Sequence, residues 1–391
     1  MTDRDQVQPD VLVVGGGVVG LATAYYLSER GDLRVTLLER GECGRSASWA
    51  AAGMLAAQVE VERPGPLLTL ALAGRSLYDR LAVELYEETG IEIGLRRPGI
   101  VRPALSDDEQ KSLTEQLHRQ QALGFKAEWL DPEQVRKLVP VIAPGVQGGL
   151  FLPEEGRVNN RNLVQALVAG CLRRGVQILE RTEVTGWLTR PGKRGDEPGE
   201  SSGEVLGVNT VAGPLFAGSV VLAGGAWSAH LAQELGLRLP VFPVKGQIVE
   251  LRALDPPVGP ILFHERECYV VPQSDGRLLV GATQEKAGFA DQPTVGGLAA
   301  LMQRALRLAP GLAEAELVGT RSGLRPGCPD GQPILGPAPA WRRLYLATAH
   351  FRNGILMGPI SGLTIAMLIR GEPVPVNWRP FGLARFAVTY Q

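Results

Sequence analysis

Three glycines, Gly15, Gly17 and Gly20, follow the apolar run Val11-Leu12-Val13-Val14 at the spacing G-x-G-x-x-G, and an acid, Glu39, closes the next apolar run. Those residue types in that order suit a dinucleotide. Gly15 lets the chain turn, Gly17 lets backbone approach a pyrophosphate, and Gly20 lets the following helix pack on the strand. A carboxylate at Glu39 can accept hydrogen bonds from ribose hydroxyls. Acid–base and nucleophilic catalysis have no comparable signature. His264 and His350 stand without an acid or nucleophile at an informative spacing. The adjacent Glu154 and Glu155 precede Gly156 and are expected in a loop, facing water. Cys43, Cys171, Cys268 and Cys328 are scattered with no C-x-x-C pair, so neither a disulfide framework nor a structural zinc site is indicated.

Positioning such a site requires particular elements. Residues 11–14 read as a strand buried on both faces. Residues 18–30 read as a helix whose N-terminal N–H groups and dipole face the phosphates, and 34–39 as a second strand. The small residues of 46–55 let backbone lie against something flat. A helix is expected over 66–89, paired strands over 94–105 turning at Pro98-Gly99, and a helix from the capping pair Ser106 and Glu109 to about 123. Asp131-Pro132 starts a short helix, and 160–174 forms a longer one ahead of a strand at 176–179. Residues 190–203 read as a solvated hairpin tip. A strand at 218–223 meets a second glycine turn, Gly224-Gly225. From 240 to 283 the pattern changes to strands at 246–251, 268–272 and 277–282, the last two joined at Asp275-Gly276. An amphipathic helix follows at 295–308. A strand at 344–347 then enters His350-Phe351-Arg352-Asn353-Gly354 and a helix from about 359 to 369.

Nucleotide-type elements therefore occur at the beginning, middle and end, with antiparallel material inserted twice. The fold class is α/β: a Rossmann-like dinucleotide-binding domain with an interleaved α+β substrate domain built on an antiparallel sheet. The expected division is 1–74, 151–236 and 321–391 for the first, and 75–150 and 237–320 for the second.

The 391 residues are 45% hydrophobic and 21% charged, as in ordinary globular chains, and the formal net charge of -1 offers no field for nucleic acid or anionic lipid. Residues 1–9 lack the pattern of a secretory signal, and the runs 11–19 and 355–369 are too short or too glycine-interrupted for the roughly 20 apolar residues a membrane span needs. A cytoplasmic protein acting on small solutes, with no nucleic-acid or membrane partner, is expected.

Val13 to Gly20, Ala50 to Leu55, Leu222 to Ser228, Val244-Lys245-Gly246, Cys268 to Pro272, Gly281-Ala282-Thr283, Gly323 to Gly327 and His350 to Leu356, in this order over nearly the whole chain, resemble the flavin-dependent D-amino acid oxidase superfamily, and within it the glycine oxidases of the thiamine pathway. The resemblance implies non-covalent FAD rather than NAD. It implies that Val18 and Val19 lie under the pyrophosphate with Gly15, Gly17 and Gly20, and that Glu39 and Arg40 lie near the ribose. Ala47, Ser48, Ala52, Gly53 and Met54 would run along the flavin, with Val184 on the adenine side. His350, Phe351, Arg352, Asn353, Gly354, Ile355 and Leu356 would wrap the isoalloxazine. Arg325 resembles the family arginine that grips the substrate carboxylate, for which a planar fork is suited. Tyr269 would add a hydroxyl, and Arg352 would hold substrate or a backbone carbonyl. The implied reaction is hydride transfer from a small amino acid to flavin N5, driven by the neutral amine without a general base. It yields an imine, then glyoxylate and ammonia, or dehydroglycine for the thiamine thiazole, while molecular oxygen becomes peroxide. A homo-oligomer, a tetramer, is implied as well.

Three other readings compete: a D-amino acid dehydrogenase or sarcosine-type oxidase of the same fold, a nicotinamide-dependent dehydrogenase, and a silent flavin-binding subunit. Cys328 does not fall at the attachment position of covalently flavinylated relatives. The sequence departs from the glycine oxidase pattern at Gln284, where an apolar residue is usual, which would make the pocket wall more polar. The segment 263–267 is one residue longer.

Overall fold

The computed structural model describes residues 8–61, 63–192, 203–252, 259–265 and 268–386. Most of the expected hairpin tip and the end of the 263–267 segment lie outside them. Two large sheets organise the chain. The first has six strands in the order Ile334–Pro337, Leu344–Thr348, Ser219–Leu222, Val11–Val14, Val35–Leu38, Gln177–Leu179, all parallel except the first, which runs against its neighbour. Continuous apolar strands are what a sheet covered on both faces requires. Val11 and Val13 pack into a helical layer containing Val18–Leu27, Pro66–Thr89, Asn160–Arg173 and Gly354–Arg370, whereas Leu12 and Val14 pack against residues of a smaller four-stranded sheet.

Eight strands build the second sheet, ordered Glu316–Gly327, Phe242–Arg252, Arg277–Gly281, Cys268–Pro272, Ile261–Glu265, Ile100–Ala104, Gly148–Leu152, Glu128–Leu130. It is antiparallel except where Ile261–Glu265 pairs with Ile100–Ala104. Val249, Leu251, Val270 and Val280 bury one face against the helix Val295–Leu308, whose apolar stripe is Leu301, Ala305 and Leu308. Ile248, Tyr269, Val271 and Leu279 face the other way, toward Ala52, Ala56 and Val59. Period-two alternation thus places Tyr269 on the face that meets the nucleotide-type segments.

Several expectations change. Only Ile100–Ala104 is a strand within 94–105, because Gly99 (φ +78°) turns over the Phe151 ring and the chain enters the wide sheet rather than folding back on itself. The strand Glu316–Gly327 is continuous through position 321 and paired along Phe242–Arg252, so a domain boundary at 321 falls inside it. The last helix starts at Gly354, five residues earlier than Pro359 suggested. Proline removes the N–H that would bond Ile355, and the Tyr78 hydroxyl donates to that carbonyl instead, at 2.5 Å. With its preceding turn, residues 351–370, this segment is long and apolar enough by composition to cross a membrane, yet two-thirds of an 18-residue window within it is buried inside the fold. Gly362 meets Thr23 and Ala22, where a Cβ would lie 2.6 Å from the Thr23 nitrogen, so the helix is apolar as a core element. The four cysteines are all buried.

Candidate functional site

One cavity of about 510 Å³ is lined by residues from both large sheets, including Gly15, Gly17, Val18 and Val19 at the glycine turn and Tyr269 and Arg325 on the wide sheet. The glycine turn is dictated by close approach. A Cβ on Gly15 (φ +111°) would lie 2.4 Å from the Ala223 carbonyl oxygen, and one on Gly20 only 1.9 Å from that of Gly15. Gly17 is different: its missing side chain faces the cavity, with Ser48 Oγ the nearest atom at 3.5 Å. Gly225 (φ +55°) likewise offers bare backbone, with nothing within 4 Å. Such a cradle, at a helix start whose first N–H groups lack intrahelical partners, fits the pyrophosphate of a dinucleotide.

Glu39 is aimed by backbone, accepting from Gly16 N–H at 2.8 Å and Gly41 N–H at 2.9 Å. Arg40 lies over the Trp227 ring at 3.7 Å, and both line the cavity. Ser48 Oγ accepts from Val18 N–H at 3.0 Å. The short helix Ala47–Ala50 carrying Ser48 is fastened by the buried Asn160, which donates to the Ser48 and Trp49 carbonyls at 2.7 and 3.0 Å. Ala47, Ala52, Gly53, Met54 and Val184 all line the cavity.

At the wide sheet, two glycines form the floor. Arg325 and Tyr269 sit on strands separated by two others, and between them lie Gly246, opposite Gly323, and Gly281, opposite Tyr269. A Cβ on Gly246 would come within 2.2 to 2.3 Å of the Arg325 guanidinium, and one on Gly281 within 2.7 Å of the Tyr269 ring. The side chains therefore reach toward each other across bare backbone. Arg325 donates to the Thr283 carbonyl at 3.0 Å. Burial lowers the Arg325 pKa, opposed by the neighbouring Tyr269, and burial raises that of Tyr269, so the pair is a guanidinium beside a neutral phenol. That combination can hold a carboxylate.

His350, Phe351, Arg352, Gly354 and Ile355 line the cavity, and the turn is strained, with φ of +63° at Ala349 and +47° at Phe351. His350 is buried, and desolvation lowers its pKa to about 4, so the ring is neutral beside Ser361 Oγ at 2.9 Å. Arg352 is engaged bidentately by Glu60, which also lines the cavity.

Other expected residues fall elsewhere. Gly20, Asn353 and Leu356 do not line the cavity: Gly20 packs on Gly15, Asn353 N–H closes the turn onto His350 O, and Leu356 is buried against Gly74. Gln284 and Cys328 are also outside the lining, so neither forms part of the cavity wall. His264 bonds Glu109 at 3.0 Å. Glu155 does not face water. It is fully buried, bonded to Arg75 Nη1 at 2.7 Å, and desolvation raises its pKa to about 7. The sequence reading missed Glu60, Trp227 and Ile248 in the lining. Only Trp227 had a local signal, its place after the second glycine turn.

Comparison with known proteins places these features in context. The family described as FAD dependent oxidoreductase matches residues 10–368. A glycine oxidase of Geobacillus kaustophilus is 39% identical over 377 residues, 96% of this chain and 97% of that protein. A bifunctional ThiO/ThiG protein of Synechocystis is also 39% identical, over 98% of this chain and 55% of that one. The crystal structure of glycine oxidase from Geobacillus kaustophilus superposes with a TM-score of 0.90 at 37% identity, covering 97% of this chain and 99% of that chain.

Proposed function

The chain belongs to the FAD-dependent oxidoreductase family, and from that premise we propose that it is a glycine oxidase that also accepts sarcosine and small D-amino acids. The observation that carries this reading is the Arg325 fork and Tyr269 hydroxyl brought together over Gly246 and Gly281, in the cavity that the glycine turn lines. Bound FAD supplies a hydride acceptor at flavin N5. The backbone of Gly15, Gly17, Val18 and Val19 would hold its pyrophosphate, Glu39 and Arg40 its ribose side, and Val184 the adenine side. Ala47, Ser48, Ala52, Gly53, Met54 and the turn from His350 to Ile355 would flank the ring.

Arg325 and Tyr269 would fix the substrate carboxylate, which orients the α-carbon without a general base, so positioning supplies most of the acceleration. Neutral His350 would add no charge to the turn that flanks the ring. The first N–H groups of the Gly354–Arg370 helix would stabilise negative charge on it. Glycine, water and oxygen would give glyoxylate, ammonia and hydrogen peroxide. The likeness to a ThiO/ThiG protein supports a role for the imine, dehydroglycine, in making the thiamine thiazole.

The same proposal includes a cytoplasmic homotetramer and the interleaved division of the chain, with the last nucleotide-side segment starting after Gly327. Anaerobic titration with glycine, sarcosine and D-alanine tests it: glycine should bleach the visible flavin band, and air should restore it with peroxide release. Bound flavin that none of the three bleaches would reject an oxidase. Bleaching without reoxidation by air would mark a dehydrogenase.

A further inference from the structure

Beside Arg325 the ladder of the wide sheet changes its hydrogen bonding. Ile248 pairs with Gly281, yet Lys245 pairs with Glu285, three residues on against four, so one extra residue enters the 281–285 side. Lys245 and Glu285 exchange both backbone bonds, N–H to carbonyl, at 3.0 and 2.9 Å. Two residues along, Gln247 and Thr283 stand where the next such exchange falls in an antiparallel pair. Only half of it forms. Thr283 N–H donates to the Gln247 carbonyl at 3.3 Å, but Gln247 N–H donates at 3.0 Å to the Thr283 hydroxyl rather than to its carbonyl. The Thr283 carbonyl accepts from Arg325 Nη1 instead, at 3.0 Å.

The hydroxyl is fixed in turn. It donates to Glu285 Oε1 at 2.5 Å, and the same oxygen receives Gln247 Nε2 at 2.6 Å. The other carboxylate oxygen pairs with Lys245 Nζ at 2.9 Å, and the Gln247 amide oxygen is held by Thr294 N–H at 2.8 Å. Burial would raise the Glu285 pKa, but donation from Thr283, Lys245 and Gln247 outweighs it and holds the carboxyl below its ordinary range, so the acceptor is charged. Lys245, Gln247 and Thr283 are buried, and neither they nor Glu285 line the cavity. What connects them to it is Arg325, whose guanidinium crosses the bare backbone of Gly246, between Lys245 and Gln247.

We propose that Thr283 is a positioning residue for the substrate carboxylate: its hydroxyl, fixed by Glu285, takes the Gln247 N–H in place of its carbonyl and so leaves that carbonyl to aim Arg325. The inference rests on the glycine oxidase reading and adds to it the group that orients the fork. Without the hydroxyl, Gln247 N–H returns to the carbonyl and competes with Arg325 for it. The guanidinium then loses its fixed direction, and binding must restore that order at a cost in affinity.

The test uses FAD-loaded protein and acetate, an unreactive monocarboxylate whose Kd is read from perturbation of the flavin spectrum. Thr283→Val keeps the branched shape and removes the hydroxyl, so the acetate Kd and the glycine KM should each rise by about tenfold, with a smaller change in kcat. Thr283→Ser keeps the hydroxyl and should stay within about threefold of wild type. Equal acetate affinities in wild type and Thr283→Val, or equal losses in Thr283→Val and Thr283→Ser, overturn the proposal. If Thr283→Val does not retain FAD, Lys245→Met/Glu285→Met carries the test, since replacing a largely buried ion pair by apolar residues of similar volume is often tolerated. Its acetate Kd should also rise by about tenfold, and an unchanged value overturns the proposal. Loss of FAD in both would make the network part of the cofactor site and overturn it as well. Acetate binding needs no turnover. Wild-type protein that binds acetate but is not bleached by glycine would reject the oxidase reading, and the contrast between Thr283→Val and Thr283→Ser would still decide the role of Thr283.

Discussion

The two parts of the cavity are built by opposite means. At the glycine turn the contact surface is backbone: Gly15, Gly17 and Gly20 lie within six residues, and the spacing itself creates the cradle. At the wide sheet the surface is side chain. Glu60, Tyr269, Arg325 and Arg352 come from distant stretches and work through charge, burial and a glycine floor. A backbone site tolerates no added atom, whereas a side-chain site can shift, so the two should fail differently when altered.

Gly20→Ala gives the sharpest break. Its methyl would sit 1.9 Å from the Gly15 carbonyl oxygen, backbone against backbone, and the expected loss is about 4 kcal/mol or more of stability together with FAD. Yellow, soluble Gly20→Ala protein would contradict the view of this turn as rigid. Arg325→Ala should act at the other part alone. FAD content stays at wild type and the glycine KM rises by about 100-fold, about 2.7 kcal/mol, as expected for one partner of a desolvated charge contact. Normal glycine oxidation by this variant would move the carboxylate site elsewhere.

Gly246→Ala is a milder probe, because the added methyl meets the end of a flexible side chain rather than backbone. A KM increase of about tenfold, or about 1.4 kcal/mol, with full FAD occupancy is expected. Loss of FAD instead would show that the two parts are not separable. The smallest effect concerns His350, whose pKa falls to about 4 in the folded chain from an ordinary 6.5. Between those values the unfolded chain binds the extra proton, so acid favours unfolding and stability rises with pH across that window. Thermal unfolding of wild type and His350→Gln from pH 4 to 7 should diverge toward acid, by about 3 kcal/mol at most. Parallel curves would mean that the ring is not buried neutral.

Legibility followed the same divide. The strand–turn–helix of residues 11–27 and the hairpin at Asp275-Gly276 could be read directly, because turn chemistry and period-two or helical spacing are local. Glu155 departs from the expectation because two adjacent carboxylates ahead of a glycine suggest a loop facing water, and nothing nearby in sequence announces Arg75. The start of the last helix was misplaced for a similar reason. A proline normally marks a first turn, and here Tyr78, far away in the chain, satisfies the carbonyl that Pro359 leaves open. Glu60 had no signal at all, since an acid at the end of an apolar run has a role only once Arg352 lies against it.

What the sequence determined alone is the dinucleotide cradle and the alternation of elements, because steric limits on glycine and the periods of helix and strand act within a few residues. The tertiary structure decided how charge is distributed in the cavity. Ion pairing depends on distance through space and on exclusion of water, and sheet packing sets both across hundreds of residues. It is there that Arg352 is paired with Glu60 while Arg325 donates to the neutral Thr283 carbonyl.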